Sequence, residues 1–212
     1  SEGFQISYLG KLYSTKLRDP RLLFAALKEL LAEGQIAKEE LRVLFHVDEV
    51  GKEQLRELVQ AYAISEVVDV QGYIPRPQIV DVMHASSILL VLTTKSTAEG
   101  THGIMGTKFF ENMGVEKPVL CVRSDEECLA QVIAQTEAGL AATEVGQVKT
   151  FVMEKYQEWK QKGYTHQRAK NKEWFTRQHQ AEQFVKVFEA VTMTSSTSRT
   201  SSTSTTSPTI TQ

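Results

Sequence analysis

The chain has 212 residues, 41% of them hydrophobic and 24% charged, with a formal net charge of −2. That length suits one substantial core, and near-neutrality excludes a general positive field for nucleic acid or an anionic membrane, so any anion site has to be local. No apolar run approaches the ~20 residues of a membrane span, no export segment opens the chain, and Cys121 and Cys128 suit reduced thiols; the expected setting is the cytoplasm, without a nucleic-acid partner.

In chain order, FQISYL (4–9) predicts a first strand. After the loop GKLYSTKLRD, the run 19–34 predicts a helix capped by Asp19, with Pro20 at its first position and Leu23, Leu27, Leu30 and Leu31 on one stripe. LRVLFHV (41–47), a helix over 52–62 and EVVDV (66–70) follow. Next come the turn QGYIPRP, a helix over 77–86, the strand ILLVLTT (88–94), a glycine-containing loop and the short helix TKFFENM (107–113). PVLCV (118–122), a helix over 125–135 and GLAAT (139–143) complete the alternation. Beyond Gly146 the period is helical, over 150–163 and again over 179–191. The pattern predicts an α/β fold, a doubly wound Rossmann-like parallel sheet of about six strands with helices on both faces and a helical C-terminal extension. Residues 1–191 are expected to form one domain, and 192–212, almost all serine and threonine, a disordered tail.

Open sheets of this kind bind ligands beyond the carboxyl ends of their strands. In the first such loop Gly10 lets a ligand approach the backbone, and Lys11, Lys16 and Arg18 supply cations suited to a diphosphate. The plain alternative is a turn followed by a solvated basic face. Before the helix at 107, Gly103 and Gly106 offer backbone N–H groups where the helix dipole favours an anion, and Thr107 and Lys108 open the helix. Glu111, one turn in, would repel phosphate but can accept both hydroxyls of a ribose; otherwise it favours its own helix dipole. Phe109, Phe110 and Met113 read as core.

The order YLGKLYSTK, VDVQGYIPRPQIVDVMHASSILLVLTT, GTKFFENMGVEKPVLCV resembles the donor-binding C-terminal domain of GT-B fold glycosyltransferases of the large retaining family called group 1. The resemblance runs from about Phe4 to Val191. It implies that Lys11 and Lys16 hold the donor pyrophosphate and are the catalytic cations, that Tyr73, Ile74 and Pro75 lie beside the nucleotide base, and that Glu111 binds ribose. Where that family carries an earlier glutamate near the donor sugar this chain has Gly103; Glu99 or His102 in the same loop is the expected substitute.

The implied function is transfer of a sugar from a nucleoside-diphosphate donor to a glycan or lipid-linked acceptor, with no cofactor and no metal. The implied partners are the nucleotide-sugar donor and an N-terminal acceptor domain outside this chain, the expected route of any peripheral membrane contact; the chain alone is expected to be inactive. A non-hydrolysing sugar-nucleotide epimerase domain and a non-catalytic nucleotide-binding module stay open as alternatives.

Overall fold

The computed structural model describes residues 3–93, 106–122 and 127–197. Alternation along the central strands sets the two faces of the sheet. In β1 (Phe4–Leu9) and β4 (Ile88–Leu92), Phe4, Ile6, Tyr8, Ile88, Leu90 and Leu92 bury toward one helical layer, while Leu9 and Leu89 bury toward the other. Strands buried on both faces read as near-continuous apolar runs, which is what these sequences show.

With β2 (Leu41–His46), β3 (Val68–Gln71), β5 (Val119–Val122) and β6 (Gly139–Ala142), they make one sheet in the order β3-β2-β1-β4-β5-β6. Every pairing is parallel. The first layer carries α1 (Arg21–Ala32), α2 (Glu49–Ala61) and α6 (Val145–Lys162), whose Leu23, Phe24, Leu55, Val148 and Tyr156 join the main core. On the second, Met83 of α3 (Arg76–Ala85) packs with Leu9 and Leu89. The short helix α4 (Thr107–Gly114) buries Phe109, Asn112 and Met113, and α5 (Glu127–Thr136) buries Leu129 and Ile133. This is the doubly wound Rossmann-like sheet that the alternation predicts.

Helix starts differ from the expectation for local reasons. Pro20 is the cap residue of α1 rather than its first helical position, and the Asp19 carboxylate accepts from the Arg21 N–H at 2.9 Å while pairing with the Arg21 guanidinium. α2 begins at Glu49 because Asp48 caps it, accepting from Gly51 N–H at 2.9 Å. α6 starts at Val145, where the Gln147 side chain accepts from the N–H groups of Thr143 and Glu144. At its other end Gly163, with φ of 77°, closes the helix by donating to Trp159 O at 2.7 Å. Gly163→Ala forces a side chain into the left-handed region and is expected to lower stability by about 1 kcal/mol, read as a shift in the denaturant midpoint at unchanged slope.

The chain divides between Lys170 and Asn171 into two compact units. The second contains a 3-10 turn (Lys172–Phe175) and α7 (Arg177–Thr197). α7 continues through Thr192 into the segment expected to be disordered. The helix does not stop where the low-complexity composition starts, and the Thr192 hydroxyl donates to Phe188 O and Glu189 O, each at 2.9 Å, inside it. The remainder of that tail, 198–212, lies outside the described residues.

Candidate functional site

Strands β1 and β4 are neighbours whose connections leave in opposite directions, so their carboxyl ends open a crevice at the switch point of the sheet. The loop after β1 forms one lip and the start of α4 the other. A Cβ added to Gly10 would meet Tyr8 Oη at 3.7 Å and Lys108 Cγ at 4.0 Å, ordinary contacts, so packing within the protein does not itself demand glycine there. The same contact places Lys108 beside Gly10.

The loop is held from below by three groups. Tyr8 Oη donates to Lys11 O at 3.0 Å. Arg18 donates through Nη1 to that same carbonyl and to Tyr8 Oη at 3.3 Å, leaving its buried Nε without a hydrogen-bond partner among the described residues. Asp48 accepts from Leu12 N–H at 3.0 Å as well as from Gly51, tying the loop to the start of α2. Above this base the Tyr13 ring carries Lys11 Nζ at 4.7 Å and Arg18 Cζ at 4.8 Å from its centroid, both inside cation–π range. Tyr13 adopts φ of 62°, a left-handed conformation unusual for a bulky residue.

Electrostatics follow from these contacts. Burial pushes the Tyr8 phenol above its ordinary value, against the opposing Arg18 charge, so it stays a protonated donor. Burial also pushes Asp48 upward, but N–H groups of Gly51, Leu12 and Tyr13 and its own backbone outweigh that and hold its carboxyl below the usual range.

Two hollows open on this crevice. One, of about 70 Å³, is lined by Tyr8, Arg18, Thr93, Gly106, Lys108 and Phe109 among others. The other, of about 210 Å³, is lined by Gly10, Lys11, His46, Tyr73, Ile74 and Lys108, with Leu9 and Ile79. Lys108 borders both and pairs with Glu111 at 2.8 Å, each side chain about half exposed. Cations, a helix N-terminus and an apolar-walled recess therefore meet at one sheet edge, an arrangement suited to an anion attached to a flat ring.

Residues 2–173 match the family model described as Glycosyl transferases group 1. The chain belongs to this family. No curated protein matches this group 1 chain at a significant level. Among solved structures it is similar to WaaG, a glycosyltransferase involved in lipopolysaccharide biosynthesis, with a TM-score of 0.55 and 13% identity over 74% of this chain and 39% of that one. It is likewise similar to sucrose-phosphate synthase from Thermosynechococcus elongatus, with a TM-score of 0.54 and 16% identity over 90% of this chain and 46% of that one. Anabaena HepE, solved in complex with UDP and glucose, gives a TM-score of 0.50 and 14% identity over 77% and 45%. At such identities the likeness is one of fold, and the chain spans less than half the length of these proteins.

Of the residues singled out from sequence, the group 1 fold brings together Gly10, Lys11, Arg18, Tyr73, Ile74, Gly106 and Lys108 around the two hollows. Pro75 is the cap position of α3, and Thr107 is the exposed first residue of α4. Lys16 is exposed in the turn before α1 and lines neither hollow. Glu111 lines neither and joins the site through Lys108. Glu99, His102 and Gly103 lie outside the described residues. Sequence reasoning missed Tyr8, His46 and Asp48. Tyr8 and His46 are polar groups near or at the carboxyl ends of apolar strands, and Asp48 stands three residues before Gly51 as a helix cap; those positions were the available signals.

Proposed function

We propose that this chain is the nucleotide-sugar-binding half of a GT-B glycosyltransferase that moves a sugar from a nucleoside-diphosphate donor to a glycan or lipid-linked acceptor, with retention of configuration. The observation that carries the reading is the meeting of Gly10, Lys11 and Arg18 with Gly106 and Lys108 at the switch point, in a member of the group 1 family. That family favours transfer over epimerisation or a purely binding role.

Departure of the diphosphate develops negative charge on its oxygens and positive charge on the sugar. Lys11, Lys108 and the N–H groups opening α4 would stabilise the leaving group. Lys16, carried by the same loop, is the outer cation of the set. With that much fixed positive charge the reaction has no need of a metal or other cofactor. Tyr73, Ile74 and Pro75 are assigned to the base; Glu99, His102 and Gly103, outside the described residues, are the proposed contacts of the donor sugar. A second, acceptor-binding half supplies the other wall of the cleft and any peripheral membrane contact. The larger hollow, about 210 Å³, is below the ~300–1,000 Å³ of a complete small-molecule site, which suits a single wall. Among the described residues no helix is long and apolar enough to cross a membrane. The proposed location is the cytoplasm, a reducing setting that suits the free thiols Cys121 and Cys128.

The test is titration of the chain with nucleoside diphosphates, with and without chelator, beside a sugar-transfer assay. Binding at roughly millimolar affinity, unaffected by chelator and without transfer, is expected. No binding of any nucleoside diphosphate would overturn the donor-site reading, strict metal dependence the leaving-group chemistry, and transfer by this chain alone the half-cleft reading.

Glu111→Gln separates the ribose role from the local ion pair. The Lys108–Glu111 pair is half exposed, so stability is expected to change by less than about 1 kcal/mol. Affinity for a nucleoside diphosphate is expected to fall at least about tenfold, the loss of one charge-assisted hydrogen bond. Equal affinities by calorimetry would remove Glu111 from the ribose site.

A further inference from the structure

His46 is 4% exposed, ends β2, and borders the larger hollow. Its Nδ1 lies 3.0 Å from Gly72 O, in the turn that carries Tyr73 and Ile74. A carbonyl oxygen only accepts, so Nδ1 carries the proton, and in the neutral ring the lone pair is left on Nε2. Among the described residues Nε2 has no protein partner, and it is not among the sealed, unsatisfied polar atoms. An acceptor in a nine-tenths-buried ring, fixed in tautomer and bordering a recess, is a group arranged to meet a ligand's donor.

We infer that His46 is a base-selecting residue: Nε2 accepts a hydrogen bond from an N–H on the edge of the donor nucleobase. This rests on the donor-site reading above and goes beyond it by assigning base discrimination to one side chain. The walls favour a base as the occupant. Leu9, Ile74 and Ile79 provide apolar contact for a flat ring, and Lys11 and Lys108 border the same hollow, where a diphosphate on that ring would lie. Selection arises because a base presenting an acceptor at this edge faces the His46 lone pair and leaves both groups unpaired. The Gly72 bond does a second job, since it keeps the ring from turning its other nitrogen toward the ligand.

The experiment titrates the wild-type chain and His46→Asn with UDP, CDP, ADP, GDP and inorganic pyrophosphate. Asparagine keeps a donor near Gly72 O but does not reach as far as Nε2. The wild type is expected to prefer one base by about tenfold, the worth of one well-made hydrogen bond. In His46→Asn that preference is expected to collapse to within about threefold, with pyrophosphate binding unchanged. An unchanged base ranking, a wild type without base preference, or equal weakening toward all five ligands would overturn the assignment. So would a loss that follows the ribose, seen when the 2′-deoxy form of the preferred nucleotide removes the whole difference between wild type and variant. If no nucleoside diphosphate binds the wild type, the donor-site reading itself fails; if they bind and the ranking ignores His46, only this inference does. Should His46→Asn unfold, wild-type chain labelled with ¹⁵N-histidine decides. The Nε2 resonance of the Nδ1–H tautomer is expected to move with the preferred nucleotide and not with pyrophosphate, and a stationary resonance overturns the assignment.

Discussion

Lys11→Ala, in a protein that carries both halves of the cleft, is expected to lower kcat by about 10²–10³-fold while raising the donor KM much less. The asymmetry follows from where charge changes. On the proposed reading, the diphosphate of bound donor is already anionic and would share its charge with solvent and with Arg18, Lys108 and the start of α4. On bond cleavage additional charge appears on the oxygens nearest the sugar, and a fixed cation there stabilises the transition state more than the ground state. Lys11 suits this role: its carbonyl is held by Tyr8 and Arg18, its ammonium rests over the Tyr13 ring, and the residue lines the larger hollow with Gly10 and Lys108. Lys16→Ala is the internal comparison, and because Lys16 lines neither hollow its effect is expected to be under about tenfold. Single-turnover and steady-state kinetics together separate the two. A rise in KM alone for Lys11→Ala would make the residue a binding group only, and equal losses for both lysines would show that the loop rearranges to bring Lys16 in.

Asp48→Ala is expected to destabilise the chain by about 3 kcal/mol, since it removes a helix cap and strands the Leu12 N–H at once. The same change should weaken diphosphate binding, because Leu12 and Tyr13 are the residues through which Asp48 holds the loop carrying Lys11. The effect has a pH signature whose sign is fixed. The folded carboxyl is held below its unfolded value near 3.8, so the folded state binds its proton less readily than the unfolded state. Its stabilisation is therefore fully present above that value and is lost as pH falls through it toward the folded one. Denaturant midpoints followed downward from about pH 4, below which such a carboxylate takes up its proton, should fall more steeply for the wild type than for Asp48→Asn, which keeps a capping oxygen without a titrating group. Parallel pH curves for the two proteins would show that Asp48 is not the group responsible.

How far the molecule was legible in advance depends on whether a feature is local. The alternation of FQISYL, ILLVLTT and PVLCV with helical periods determined the layers, because which face of a strand or helix is apolar is written within a few neighbouring residues. The glycine and cations after β1 and the glycine–lysine start of α4 were legible for the same reason, as were the apolar positions Phe109 and Met113. What only the tertiary structure decided is who meets whom. Gly10 and Lys108 come together because the strand order puts β1 beside β4, a matter of topology that no local pattern encodes. Tyr8, His46 and Asp48 looked like incidental polar residues in apolar surroundings, and their roles depend on carbonyls and N–H groups delivered by other loops: Lys11 O, Gly72 O and Leu12 N. Lys11 and Lys16 were equivalent as charges along the chain, and the turn between them placed one at the crevice and left the other in solvent. Side-chain identity supplies the chemistry, but hydrogen bonds between segments distant in sequence set its direction, and those exist only once the sheet has formed.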